Sequence, residues 1–552
     1  MKKLVKQRKV FFISIVLFFM ISAFLFYLSS NSIITYFKNE NFFNADTWTI
    51  VKQISMTILF VINIFIICYF WWLGINDLMQ YIIGLFEKRN NLKIINEIHS
   101  LPISLTDKKV ILAYCTCNDF NEEALLTSSI QNYLNYKVVI LDDSTNKEYI
   151  DKINEFVKKY PNIELVRRKT KEGFKAGNIN NYFLNKSDYD YLVILDSDEI
   201  IPTNFIIESL KYFKYYSNVG IVQANHKGRS TGITNNFQKW FSVSILPSLF
   251  KSLWPRNKNG LVNCFGHGAM ISKECFDKVG GFPQVVSEDN AFTLKMLYEN
   301  IFVVFAPNII CQEDFPINLS AFIKRQGKFI NGNIEMSKMI VKKRKGNYPK
   351  WLKFELFSHV SMIYLTIIFG FIFQFNNVLI FTFNRDFINH NIYIYLISLF
   401  FIFIPWIKEI LNQHKYISFF STIFYFIISF TIIFSIFICS IKMILFSIFH
   451  KKPNFIVTPK KNYKFKLLMF IKQFWFEFLL CVLMIVFCSL PMCIYGTDKW
   501  HTLFFAFPFV WGFFGVLFLS IAGNNNNSYL KIYESKLLSK IFKEGPKGQV
   551  RS

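Results

Sequence analysis

Charge-free runs long enough to cross a bilayer crowd both ends of this chain, and none interrupts the stretch between Leu105 and Lys345. A spanning helix needs about 20 mostly apolar residues. Phe11–Ser29 and Ile54–Leu73 are such runs before the stretch; Leu356–Phe375, Ile392–Ile407, Phe478–Tyr495 and Leu503–Ala522 follow it. Lys2, Lys3, Lys6, Arg8 and Lys9 precede the first run. That run is too long for the core of a signal peptide, and its basic flank sets the N-terminus on the cytoplasmic side. Two crossings return the chain inside, so the middle stretch is expected in the cytoplasm, at the plasma membrane.

The remaining apolar segments are read from amphipathicity and charge parity. Asn76–Asn90 carries Leu78, Tyr81, Ile82, Leu85 and Phe86 on one helical face and reads as an interfacial helix. Ile417–Ile441 is uncharged and long enough to cross, but a crossing would put Lys451, Lys452 and the basic tail outside. Parity therefore favours six spans, the fifth of them kinked near Pro491, with 417–450 dipping into or lying along the membrane. The domain plan is 1–104, two helices plus an interfacial helix; 105–345, soluble; 346–530, membrane; and 531–552, a basic tail. The composition agrees, since 52% hydrophobic residues and 67 Phe are too apolar for a soluble two-domain protein. A net charge of +25 suits nucleic acid as well as anionic lipid. The cations sit beside apolar spans and no nucleic-acid reader motif accompanies them, so lipid is the expected partner. Ten scattered Cys give neither a zinc spacing nor a disulfide framework, and eight dispersed His promise no histidine metal chemistry.

Within 105–345, Val110–Tyr114, Lys137–Leu141, Ile163–Val166, Tyr191–Leu195 and Val219–Gln223 read as strands separated by helical stretches, the alternation of a parallel sheet. Tyr191–Leu195 ends in Asp196-Ser197-Asp198, and Lys137–Leu141 ends in Asp142-Asp143. Carboxylates thus gather where parallel strands meet their loops, the edge at which open α/β sheets keep ligands. Two aspartates one residue apart suit a hard cation that also grips a diphosphate. An isolated Asp-x-Asp is more often a solvated turn. Here Lys175, Gly177 and Asn178 follow Asp143 at a distance suited to phosphates and ribose, and Gly266-His267-Gly268, Ser287-Glu288-Asp289 and Arg325-Gln326-Gly327-Lys328-Phe329 come further on.

In this order and spacing the set resembles the processive membrane glycosyltransferases of family two, the group of cellulose, curdlan and hyaluronan synthases, over about residues 105–465. Phe455-Ile456-Val457-Thr458-Pro459-Lys460 is similar to the gating loop of its bacterial cellulose-synthase-like members. The resemblance implies a multi-pass α-helical membrane protein with an inserted cytoplasmic α/β domain of GT-A-like, nucleotide-diphosphosugar transferase fold. It further implies that Asp142 and Asp143 hold the uridine end of a UDP-sugar, that Lys175, Asn178, Arg325 and Lys328 serve the rest of the donor, and that Asp196 and Asp198 bind Mg2+ or Mn2+. Asp289 would be the general base, with Glu288 orienting. Phe265, Gly266, His267 and Phe329 would meet the growing polysaccharide, and Phe455, Val457, Thr458 and Lys460 would close over UDP. Lys328 and Phe329 depart from the Arg-Trp pair of the family, losing the bidentate fork and the indole donor. The implied activity is inverting synthesis of a β-linked polymer, UDP-glucose favoured, extruded through the same chain. Alternatives are a non-processive enzyme using a lipid acceptor, a hyaluronan-like or galactan synthase, and a transporter with a degenerate domain. The tail is too short for a cyclic-dinucleotide-sensing barrel, and no feature sets an oligomeric state.

Overall fold

The computed structural model describes residues 9–39, 47–229, 235–241, 262–342, 350–383, 418–449 and 466–524, with a few isolated positions between them. The gating-loop residues Phe455, Val457, Thr458 and Lys460, the tail 531–552 and nearly all of 392–407 lie outside the described residues.

Helix α1 (Lys9–Asn39) leads to α2 (Thr47–His99), which runs 53 residues without interruption. The expected separate interfacial helix at 76–90 is corrected by this continuity. No proline falls between Thr47 and His99, so nothing forces a break, and the helix carries on until Ile98 is buried in the core of the soluble domain. Lys211 Nζ donates to the carbonyl of His99 at 2.8 Å, fixing the end of this strut. The chain start docks on the same domain, because Lys2 N donates to Tyr215 O at 2.8 Å and Ser217 N to Lys2 O at 3.1 Å. The chain start thus lies against the sheet-bearing domain.

The domain is built on a seven-stranded sheet of order β3-β2-β1-β4-β6-β5-β7. Its strands are β1 (Val110–Thr116), β2 (Tyr136–Asp142), β3 (Ile163–Val166), β4 (Tyr191–Asp196), β5 (Val219–Gly228), β6 (Ala269–Ser272) and β7 (Phe302–Glu313). The five expected strands are present. The expected wholly parallel sheet is corrected to a mixed one, because β6 enters antiparallel between β4 and β5. Both faces are covered: Val110, Leu112 and Tyr114 of β1 point into one core, Ile111, Ala113 and Cys115 into the other. Between the strands lie α3 (Glu122–Ser129), α4 (Lys147–Lys159), α5 (Phe174–Phe183), α6 (Phe205–Tyr215), α7 (Lys273–Val279) and α8 (Glu288–Tyr298).

After β7 come α9 (Leu319–Lys342), α10 (Lys350–Phe383), α11 (Phe419–Phe449), α12 (Leu467–Tyr495), a 3-10 run (Thr497–Ala506) and α13 (Phe507–Ala522). Among the described residues, five segments are long and apolar enough to cross a membrane by length and composition: Thr47–Glu87, Lys350–Phe383, Phe419–Ser447, Leu467–Tyr495 and Thr497–Ala522. The third includes the segment expected to dip or lie flat. It is an unbroken helix of spanning length, yet Phe424 near its start packs on Trp240, and Met443 near its end meets Gly327 of α9. Helices α11 and α13 touch closely: a Cβ on Gly512 would fall 2.6 Å from Phe434 O, and one on Gly515 2.5 Å from Ser435 Oγ. Small residues permit such backbone approach between apolar helices. The break in α12 lies at Phe474 (φ −113°, ψ 24°) rather than at Pro491, which rides in the last turns, where little helix follows it.

Candidate active site

Parallel register brings the carboxylates together. Thr116 of β1 pairs with Asp142, and Cys115 with Asp196, so the Asp142-Asp143 and Asp196-Ser197-Asp198 turns flank the end of one strand. The β2–β3 register continues past Leu141 opposite Val166, which sets Arg167 beside Asp142 and Arg168 beside Asp143. Both arginines pair accordingly. Arg167 Nε donates to Asp142 Oδ2 at 2.6 Å, while Asp142 Oδ1 accepts from Ser144 N at 2.8 Å. Arg168 donates to both oxygens of Asp143, from Nε at 2.9 Å and Nη2 at 2.6 Å. The Asp142 side chain is 0% exposed, so it braces the loop; Asp143, 11% exposed, is the member at the edge.

Sequence reasoning missed these arginines, although a dibasic pair directly after a strand was the signal. Gly177 also has a different use from the expected approach to phosphate. A Cβ there would fall 2.0 Å from Glu172 O and 2.5 Å from Arg168 Nη1, so it makes room for the arginine. Lys171 Nζ donates to the carbonyls of Asp143 and Ser144 at 2.8 and 2.5 Å. One residue beyond Gly177, Asn178 is buried with its Oδ1 unpaired.

Lys175 stands at the centre. Its ammonium ion-pairs with Asp196 and donates to Gly266 O at 2.8 Å. Burial opposes its charge, but Asp196 beside it holds the ammonium above the ordinary lysine value. Burial likewise works against Asp196, and Lys175 and His267 outweigh it, keeping this carboxyl below the usual range. Asp198 Oδ2 accepts from Asp314 N at 3.2 Å. Asp196 and Asp198, both half-buried, leave anionic oxygens at the mouth of the cleft. That donor set fits a hard divalent cation.

Opposite lies the start of α8. Ser287 makes no capping bond to the helix backbone; its Oγ donates to Asp289 Oδ1 at 3.2 Å and accepts from Asn290 Nδ2 at 2.8 Å. Asp289 faces Gly266, where a Cβ would lie 3.3 Å from its Oδ2. Gly266 has φ +82°, a conformation suited to glycine. Glu288 is buried, and burial together with the Asp289 charge pushes its carboxyl up to about 7, against the pull of Lys328 and Lys175. Helix α9 approaches closely here, with Gly332 against Ser287. Its Lys328 acts electrostatically on both Asp196 and Glu288, while Arg325 stacks over Phe329 at 5.5 Å. Phe329 remains 38% exposed.

The acceptor-side residues reveal a group the sequence did not suggest. Phe265 lies tilted against His226 at 5.8 Å, and the His226 and His267 rings meet at 4.5 Å. Both histidines adjoin Glu199, which is fully buried; burial opposes its charge, but His267 and His226 hold it down at about 2. The expectation of dispersed histidines is thereby corrected, because β5 and the turn before β6 bring residues 226 and 267 to one place.

Residues 115–280 match the model of the glycosyl transferase family 2. Over 250 residues the chain is 20% identical to a beta-monoglucosyldiacylglycerol synthase of Trichormus variabilis, covering 42% of this chain and 52% of that protein. Over 228 residues it is 22% identical to a poly-beta-1,6-N-acetyl-D-glucosamine synthase of Staphylococcus aureus, covering 39% and 53%. The chain thus spans about half the length of these relatives. Among solved structures, a mannosyltransferase of Pyrobaculum calidifontis in complex with GDP-Man and Mn2+ aligns at a TM-score of 0.40 and 14% identity, over 68% of this chain and 100% of that one. S. aureus TarS 1-349 in complex with UDP-GlcNAc aligns at 0.34 and 14%, over 55% and 89%. Residues 115–280 are thus similar to family 2 glycosyl transferases, and the chain joins that stretch, carried on a mixed seven-stranded sheet, to apolar helices of membrane-spanning length.

Proposed function

We propose that the protein is an inverting, processive transferase that builds a β-linked polysaccharide from a UDP-sugar, UDP-glucose favoured, and passes the product through its own membrane helices. The observation that carries this reading is Lys328. It stands on α9, the helix that packs against the apolar bundle, yet its charge acts on Asp196 at the sheet edge and on Glu288 at the start of α8. A site reached by a helix that packs on the apolar bundle can deliver its product directly into that bundle.

Asp143 and its loop hold the uridine end, with Asp142, Arg167 and Arg168 as the brace that keeps the loop in place. Asp196 and Asp198 would hold Mg2+ or Mn2+, which when bound offsets the charge of the departing diphosphate. Lys175 and Lys328 supply further positive charge to the diphosphate. Asp289 takes the proton of the acceptor hydroxyl as that oxygen attacks the anomeric carbon and the bond to UDP breaks. One displacement of this kind inverts the anomeric centre. Glu288, whose carboxyl burial and Asp289 push up to about 7, limits the negative charge beside Asp289. Phe329, Phe265 and His267 line the acceptor side. The gating motif at Phe455, Val457, Thr458 and Lys460 would exclude water from the loaded site.

A second reading, transfer of a single sugar to a lipid, is favoured by the similarity to the glucosyldiacylglycerol synthase. Purified protein in liposomes, given UDP-glucose, UDP-GlcNAc or UDP-galactose separately, distinguishes the two. A polymer sensitive to a linkage-specific β-glucanase supports the first reading. A glycolipid bearing one sugar supports the second, and no UDP release with any donor refutes both.

A further inference from the structure

Glu199, His226 and His267 come from three separate parts of the chain, the loop after β4, strand β5 and the turn before β6. One ligand atom from each lies within 4.8 Å of the others. Glu199 Oε1 is 2.8 Å from His226 Nε2 and 3.4 Å from His267 Nδ1. Ligands about 2.0–2.1 Å from a tetrahedral ion stand roughly 3.3 Å apart, so the spacing suits a shared cation. The other oxygen of the carboxylate is engaged separately, accepting from Gly268 N at 2.9 Å.

Read as a closed hydrogen-bonded triad, the group is poorly satisfied. His226 Nδ1 is a buried ring nitrogen without a hydrogen-bond partner, and His267 Nδ1 meets Glu199 Oε1 at 3.4 Å in a poor hydrogen-bonding geometry. Buried polar atoms of this kind are uncommon and call for an account. A carboxylate and a thiol flank the group. His267 holds its other nitrogen, Nε2, 3.7 Å from Glu313 Oε2, an ion-pair distance from which a carboxylate can orient the ring. The buried Cys311 thiol lies beside Glu199. Gly268, at φ +55°, admits the cluster, since a Cβ there would fall 2.4 Å from both Glu199 Oε1 and His226 Nε2.

We infer that Glu199, His226 and His267 form a second cation site, distinct from the Asp196/Asp198 pair and selective for a borderline transition ion of the Zn2+ class. Two imidazoles and one carboxylate suit such an ion, whereas Mg2+ prefers a shell of oxygens. Bound there, the ion pins the Gly266-His267-Gly268 turn, whose first carbonyl takes Lys175, and so ties the acceptor side to the donor side.

The test uses full-length protein in detergent, stripped with chelator and then held in excess Mg2+ so that oxygen sites are filled. Zn2+ is titrated by competition with a chromophoric chelator, and bound metal is counted by mass spectrometry. The unmodified protein and Asp198→Asn are expected to take up one tight equivalent, and His226→Gln to bind about a hundredfold more weakly or worse. No uptake by the unmodified protein, equal uptake by His226→Gln, or loss in Asp198→Asn alone would overturn the site. Should His226→Gln fail to fold, Co2+ loading of the unmodified protein decides. Intense visible absorption of low-coordinate cobalt supports the site, and the weak spectrum of a six-coordinate aquo-type ion refutes it. Neither readout needs sugar transfer, so a wrong assignment of donor or product leaves the test intact.

Discussion

Arg168 grips both carboxylate oxygens of Asp143 from a position 25 residues downstream, with the arginine side chain 5% and the aspartate 11% exposed. Neither charge is well hydrated, so each depends on the other. Arg168→Gln should destabilise the soluble domain by about 3–5 kcal/mol, the usual cost of stranding one member of a buried pair. The double change with Asp143→Asn should recover a large part of that loss. Thermal unfolding of the four proteins in detergent measures this; strictly additive losses would show that the pair is not coupled.

The pairing was latent in the sequence. Strands β1 to β5 were legible because each is a short apolar run bounded by polar loops, and the terminal aspartates followed from them. Arg167 and Arg168 needed only the register of β2 on β3. Strand β7 was not legible, because Pro307 sits in its middle, where the pairing with β5 jumps from Ala224–Ala306 to Asn225–Ile310. Strand β6 has four residues, too few for a period. The Glu199–His226–His267 group joins positions 27 and 41 residues apart through antiparallel insertion of β6, which no local spacing encodes. The length of α2 was missed for another reason: amphipathicity tells which face is apolar, not where a helix turns.

Asp198→Asn should abolish sugar transfer while leaving the unfolding profile near that of the parent, since the turn accepts an amide and a cation loses a charged ligand. UDP release in the presence and absence of excess chelator checks the assignment. Full turnover in chelator contradicts it.

Glu288 makes a prediction about pH. Its folded value, about 7, lies above its ordinary 4.5, so the native state binds the extra proton between those limits. Its contribution is fully present below about pH 4.5 and is lost as pH rises through 7. Glu288→Gln, permanently neutral, should lack that decline and be the more stable protein at pH 8, by up to about 3 kcal/mol. Melting curves for both proteins from pH 5 to 8.5 measure it, and parallel profiles would refute the buried, protonated carboxyl.

Lys328→Ala removes the cation that the membrane-side helix lends to the site. UDP binding should weaken about ten- to a hundredfold, the scale of a lost charged hydrogen bond, and Lys328→Arg should restore most of it. Calorimetric titration with UDP reads both, and unchanged affinity in the alanine variant would detach α9 from donor binding.

The central claim is that Asp289 receives the acceptor proton while other groups hold the donor. Asp289→Asn is nearly isosteric and keeps an acceptor oxygen, but it cannot take a proton at neutral pH. Removing a general base costs about a hundred- to ten-thousandfold in rate. The decisive measurement pairs UDP affinity with sugar transfer in this one variant. The account predicts near-parental affinity and transfer reduced by at least about a hundredfold; near-parental transfer would contradict it.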